Sequence, residues 1–190
     1  MKKKMLTTVF ALAVVLGTSA TTNPIKKTVK VESSTITWVG KKVLGQHTGT
    51  IALKDGEIEM EDGKLVGGNF TVDMSTITVT DLEAGKGKEK LEGHLNSEDF
   101  FGVEAHPTAT FVITDVAQSG DGYSVVGDLT IKGITESIKV KMNANDTSAS
   151  TTFAVDRTKF GIKYGSASFI DGLKDKAIND EFELTVNLNY

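Results

Sequence analysis

The chain has 190 residues, 21 basic against 25 acidic side chains, a formal charge of −4, one arginine and no cysteine. This balance excludes a polycation built to neutralise nucleic-acid phosphates. The missing cysteines exclude disulfides, thiol nucleophiles and a lipid-modified cysteine, so packing alone must hold the fold.

Lys2, Lys3 and Lys4 precede an apolar run from Met5 to Gly17 that ends in Thr18, Ser19 and Ala20. This is the layout of a secretory signal peptide, and the run is too short for a comfortable membrane span. Residues 1–20 are therefore expected to be removed on export, leaving a periplasmic or secreted protein. Cleavage removes three lysines and no acid, taking the formal charge to −7. A retained interfacial anchor is the alternative. Residues 21–27, polar and containing Pro24, read as a linker, and 28–190 as one domain with a sizeable core.

From there the hydrophobic period is two. Ile36 and Trp38 alternate with Thr35, Thr37 and Val39, and Ile138, Val140 and Met142 alternate with Ser137, Lys139 and Lys141. At the C-terminus Phe182, Leu184, Val186, Leu188 and Tyr190 fall on one face, with Glu181, Glu183, Thr185, Asn187 and Asn189 on the other. Each such strand has a dry face and a wet face. Turn signals at Asp55-Gly56, Asp62-Gly63, Gly120-Asp121-Gly122, Lys132-Gly133, Asn145-Asp146 and Asp171-Gly172 divide the strands into hairpins.

Sustained helix is expected only over Asp81 to Phe101, where Thr80 and Glu83 stand at capping-box spacing. Leu91 and Leu95 share one helical face, and Ser97 to Asp99 read as the helix end. The adjacent Phe100 and Phe101 cannot share one strand face, so they plug a corner of the fold. A further short turn is expected at Leu173 to Lys176. With no helices to make parallel crossovers the sheet is antiparallel, and a sandwich and a barrel both remain open.

HLNSEDFF from His94 to Phe101, followed by HPTATF from His106 to Phe111, resembles the YceI-like family. GGNFTVDM from Gly67, GDLTIKGIT from Gly127, DRTKFGIKYGSASF from Asp156 and INDEFELTVNL from Ile178 are similar to the family's blocks, in the family's order. The resemblance implies an all-β fold, an antiparallel lipocalin-like β-barrel of about eight strands with one helical segment packed on it. It also implies a secreted lipid-binding carrier that holds a polyisoprenoid or related amphiphile and needs no other cofactor. A homodimer and transient membrane contact are compatible with it.

On that reading the lumen is lined by Ile36, Trp38, Phe70, Phe111, Val125, Leu129, Val140, Phe153, Phe160, Phe169 and Leu184. Side chains that simply fill the barrel are the bland alternative. Arg157 is a candidate for gripping an anionic headgroup at the mouth, but it is more in character pairing with Asp156 or Asp180 to fasten two strands. His47, His94 and His106 show no metal-ligand spacing, and His94 reads as a hydrogen-bonded residue at the helix contact. Asp99 with Glu104, or Asp156 with Asp180, could form carboxylate pairs, but no nucleophile motif accompanies them. An enzyme is therefore not expected; an envelope hydrolase and a ligand-free structural barrel are the alternatives.

Overall fold

A computed structural model describes residues 23–190. The expected signal peptide, residues 1–20, and the start of the expected linker lie outside the described residues. The strands are β1 (Ile25–Thr28), β2 (Thr35–Lys42), β3 (Gly45–Glu61), β4 (Lys64–Val79), β5 (Thr108–Ser119), β6 (Gly122–Ile131), β7 (Ile134–Ala144), β8 (Ser148–Asp156) and β9 (Ile178–Asn189), with the helix α1 (Lys88–Asn96) between β4 and β5. All pairings are antiparallel, in the order β1-β3-β2-β9-β8-β7-β6-β5-β4, and pairing of β3 with β4 closes β2 to β9 into an eight-stranded barrel.

Closure explains why the linker begins a strand. β3 runs for 17 residues, but β2 pairs with it only from Gly45 to Ile51. The remaining edge would leave backbone groups unpaired, and β1 takes it, with Ile25 opposite Met60 and Thr28 opposite Glu57. Residues 25–27 of the expected linker thus belong to the barrel wall. Lys26 secures the pairing from outside, 3.2 Å from both Glu57 and Glu59.

Four of the six marked turns close hairpins; Asp171-Gly172 falls in the long connection between β8 and β9, and the β2–β3 hairpin turns at the unmarked Val43-Leu44. At Asp62-Gly63 and Lys132-Gly133 both residues take positive φ, the combination whose twist matches a two-residue hairpin. Asp55-Gly56 does not turn. It lies inside β3 beside a register shift, where Gly56 lets the Phe70 ring approach so closely that a Cβ would sit 2.9 Å from it.

Helix is confined to Lys88–Asn96, shorter than the expected Asp81 to Phe101, and begins at Gly87 with φ of 104° instead of a capping box. Glycines at 85 and 87 favour turns over helix before that point. Leu95 is buried, Leu91 packs beside it, and the Ser97 hydroxyl donates to the His94 carbonyl at the helix end. Glu92 faces β4, accepting from Thr78 Oγ1 at 2.7 Å and from the Val79 amide at 2.8 Å. These bonds hold its carboxyl below the usual range. The short turn expected near Leu173 is a 3-10 turn at Lys174–Lys176.

Buried residues form two clusters. One, at the helix end, includes Trp38, Val79, Leu95, Phe100, Phe101 and Phe160. The other, at the opposite end, includes Ile36, Ile58, Phe70, Val125, Val140 and Leu188. Each fully buried side chain of this kind contributes about 1.5–3 kcal/mol.

Candidate functional site: an apolar cavity at the barrel waist

Ile51, Val72, Phe111, Phe153 and Leu184 pack against both clusters but belong to neither. Their strands alternate, so these side chains point inward, and they are only partly covered because they face a cavity. Its volume is about 170 Å³. An apolar space of about 150 Å³ stays dry and accepts a benzene-sized guest. As it stands, the cavity is therefore sized for a short stretch of hydrocarbon.

Two of the aromatic rings beside the cavity lie against wall glycines. Trp38 pairs across the sheet with Gly49, where a Cβ would stand 2.3 Å from the indole Cζ2 and 1.9 Å from the Thr78 carbonyl oxygen. Phe111 lies over Gly127 in the same way, 2.4 Å from where a Cβ would be. The missing methyl groups let both rings approach the wall closely.

Nine of the residues assigned from sequence line this cavity: Ile36, Trp38, Phe70, Phe111, Leu129, Val140, Phe153, Arg157 and Leu184. Three do not. Val125 is fully covered within the cluster at the far end, and Phe160 sits in a 3-10 turn, Arg157–Phe160, packed into the helix-end cluster. Phe169 is 52% exposed, because it lies in the irregular connection between β8 and β9 where strand alternation no longer applies. Lys163 stands over its ring, 4.6 Å from the centroid.

Sequence reasoning missed the share of the wall supplied by α1 and the corner after it. Leu95, Phe100 and Phe101 all reach the cavity, so the aromatic plug is also a lining. Phe182, Val186 and Leu188 line it too, as their common face with Leu184 could have indicated.

Arg157 lies at the cavity's edge but is 1% exposed and turned into the protein. Its Nε donates to the Asn179 carbonyl at 3.0 Å, Nη1 to Ile162 at 2.8 Å and Tyr164 at 2.9 Å, and Nη2 to Ile178 at 3.1 Å. Burial draws its pKa below the ordinary value, opposed by Asp180 and Asp156. With every donor direction but one committed to carbonyls, the guanidinium fastens β9 to the segment after β8 and is not free at a mouth.

The acceptors of Arg157 mark an irregular seam. Between β2 and β9, Gly40 pairs with Phe182 and the next pair is Lys42 with Ile178. Lys41 alone therefore faces Asn179, Asp180 and Glu181. Gly40, Ile178, Asn179 and Glu181 line the cavity here, and Asn179 and Glu181 are also exposed. This seam is where the cavity meets solvent.

The other candidates are dispersed. His47 Nδ1 lies 2.9 Å from Asp81. His94 packs its ring edge-on against Phe100 and Tyr164 at 5.6 and 4.4 Å, and its buried Nε2 has no hydrogen-bond partner, contrary to the expected hydrogen-bonded role. His106 lies beside Gly133. No three His, Asp or Glu side chains converge as a metal site among the described residues. Asp99 and Glu104 are exposed, while Asp156 accepts from the Thr158 amide and hydroxyl.

Comparison with known proteins agrees with this architecture. A crystal structure of BcnA from Burkholderia cenocepacia superposes with a TM-score of 0.67 at 21% identity, covering 85% of this chain and 99% of that one. A polyisoprenoid binding domain from Saccharophagus degradans, implicated in plant cell wall breakdown, gives 0.58 at 11% identity over 88% and 98%. The YCEI protein of Campylobacter jejuni gives 0.54 at 14% identity over 100% and 98%. In sequence, a UPF0312 protein of Pectobacterium atrosepticum is 33% identical over 72 residues, 38% of each chain. One from Yersinia pestis is 33% identical over 87 residues, 46% of this chain and 43% of that one. The matched stretch thus spans less than half the length of these relatives. The YceI-like domain model, by contrast, matches residues 27–190, nearly the whole described barrel, and the chain belongs to the YceI-like family.

Proposed function

We propose that this protein is an exported carrier that holds a polyisoprenoid or similar long-chain amphiphile in its barrel. The observation that carries the reading is the cavity, enclosed by a closed wall and lined almost wholly by aliphatic and aromatic side chains. Thr151 is engaged with the Lys141 carbonyl at 2.7 Å and Arg157 as above, while the buried Trp38 Nε1 has no hydrogen-bond partner. Nothing there presents a nucleophile with a base, and the space favours a hydrocarbon chain, each buried CH₂ being worth about 0.8 kcal/mol. The polyisoprenoid binding described for the Saccharophagus domain supports the ligand class, and the N-terminal pattern supports export.

Solvent extraction and mass spectrometry of protein purified from the envelope fraction test the reading. A co-purifying prenyl or fatty chain is the expected result. Trp38 is the sole tryptophan and lines the cavity, so its fluorescence should change on titration with a prenyl alcohol. No extracted lipid together with an unchanged Trp38 signal would leave a ligand-free barrel.

A further inference from the structure

Among the described residues, five of the nine exposed large apolar side chains crowd one end. Val43 and Leu44, at the tip of the β2–β3 hairpin, are 55% and 66% exposed, and Tyr164, Phe169 and Ile170, between β8 and β9, are 48%, 52% and 43%. The two segments are tied together. The Val43 amide donates to the Ala177 carbonyl at 3.1 Å, and the Ile178 amide to the Gly165 carbonyl at 2.8 Å. Between them lies the β2/β9 seam where the cavity meets solvent.

The charge here opposes that of the whole chain. Exposed Lys41, Lys42, Lys163, Lys174 and Lys176 are interleaved with the apolar residues, against exposed Asp171, Asp175 and Glu181 and the half-buried Asp180 beside Arg157, although acidic side chains outnumber basic ones 25 to 21 overall. The geometry points to a docking face for a bilayer surface that carries anionic lipid. On that face Leu44, Phe169 and Ile170 enter the headgroup boundary, the lysines meet phosphates and Tyr164 sits at the interface. The seam is then presented to the membrane, so a chain passes between bilayer and cavity without crossing water.

This inference rests on the lipid-carrier reading for its purpose, but its test does not. The delipidated protein should sediment with vesicles of phosphatidylcholine and phosphatidylglycerol far more than with phosphatidylcholine alone, and added salt should release it. Leu44→Asp with Phe169→Asp should abolish sedimentation, and Lys42→Glu should weaken it by at least roughly five-fold, the equivalent of about 1 kcal/mol per surface lysine. Ile25→Asp, at an exposed apolar residue on β1 away from this end, should change nothing. Sedimentation unaffected by Leu44→Asp with Phe169→Asp, or lost equally in Ile25→Asp, would overturn the docking face. So would a dimer in solution that these substitutions dissociate, since a second copy would then be the occupant. Uptake of a fluorescent prenyl chain from the vesicles separates the two readings. Uptake slowed only in the docking variants supports both, whereas vesicle binding without uptake by any variant removes the carrier reading and leaves the docking face standing.

Discussion

Arg157 and Asp180 stand 3.7 Å apart, yet the guanidinium gives its hydrogen bonds to four backbone carbonyls and none to the carboxylate. Its role is to hold the irregular stretch of β9, where carbonyls have left the sheet ladder. Arg157→Ala should cost at least about 3–5 kcal/mol in a denaturant titration, since it strands buried acceptors beside a half-buried carboxylate. Arg157→Lys should recover less than half, because an ammonium cannot reach four carbonyls in a planar fork. A loss below about 1 kcal/mol would show that the seam holds itself.

Asp180 makes part of this stability depend on acid. Its carboxyl lies below the usual range because the Ser166 and Ser168 hydroxyls face it and Arg157 stands near, outweighing burial. The native value being lowered, its contribution is full above the unfolded-state value of about 3.9 and is lost as pH falls through the lower native value. Asp180→Asn should flatten the acid limb of the stability curve. An unchanged limb would place the acid sensitivity elsewhere.

Tyr190 acts at the other extreme. Burial pushes its phenol up to about 12, and its hydroxyl lies 2.7 Å from the Asn145 carbonyl and 2.8 Å from that of Ser148. A raised native value means that the contribution is intact below about 10 and is lost as pH rises from there to about 12. Tyr190→Phe should cost about 1 kcal/mol at neutral pH. The difference between the two proteins should vanish as the pH is raised through that window, and a constant difference would refute the assignment.

Phe100 and Phe101 are each 8% exposed and meet edge-to-face at 5.1 Å. Truncating either to Ala should cost about 3–5 kcal/mol by enlarging a cavity that cannot collapse. Losses of a few tenths in both would show that the corner relaxes around the change.

Filling the cavity should end binding without unfolding the barrel. Ala109 is buried and faces the space, so Ala109→Phe should abolish the Trp38 response to a prenyl alcohol. Val140→Arg should do the same by placing a charge in the lumen, while Lys139→Ala, on the outer face of β7, should leave affinity unchanged. Equal affinities in all three would place the ligand outside the barrel.

Gly40 lines the cavity at the seam, with open space where a Cβ would stand. Gly40→Phe should obstruct entry, slowing association and release of a prenyl chain at least ten-fold in stopped-flow fluorescence with little change in equilibrium affinity. Unaltered rates would mean that chains enter elsewhere.

Strand alternation made the barrel wall readable, because a period of two needs only local sequence. It also gave Ile36, Trp38, Val140 and Leu184 their correct face. It failed where the chain leaves the sheet. Phe160 and Phe169 have strand-like neighbours in sequence but lie in the β8–β9 connection, and no local pattern distinguishes a ring under a turn from a ring in a lumen. Asp55-Gly56 misled for the converse reason, since a glycine that admits Phe70 looks the same in sequence as one that turns. The seam was illegible because the register jump between Gly40 and Lys42 arises only when β2 meets the distant β9.

That meeting sets the order in which the wall can be built. Thr35 pairs with Asn187, so the circle stays open until the last strand of the chain has arrived. Such distant pairing makes for slow folding, in the millisecond-to-second range typical of β topologies. Until then β2 and β8 are bare edges that can recruit strands from other molecules. Loss of β9, Ile178–Asn189, would make that transient hazard permanent and yield an aggregating sheet in place of a smaller barrel.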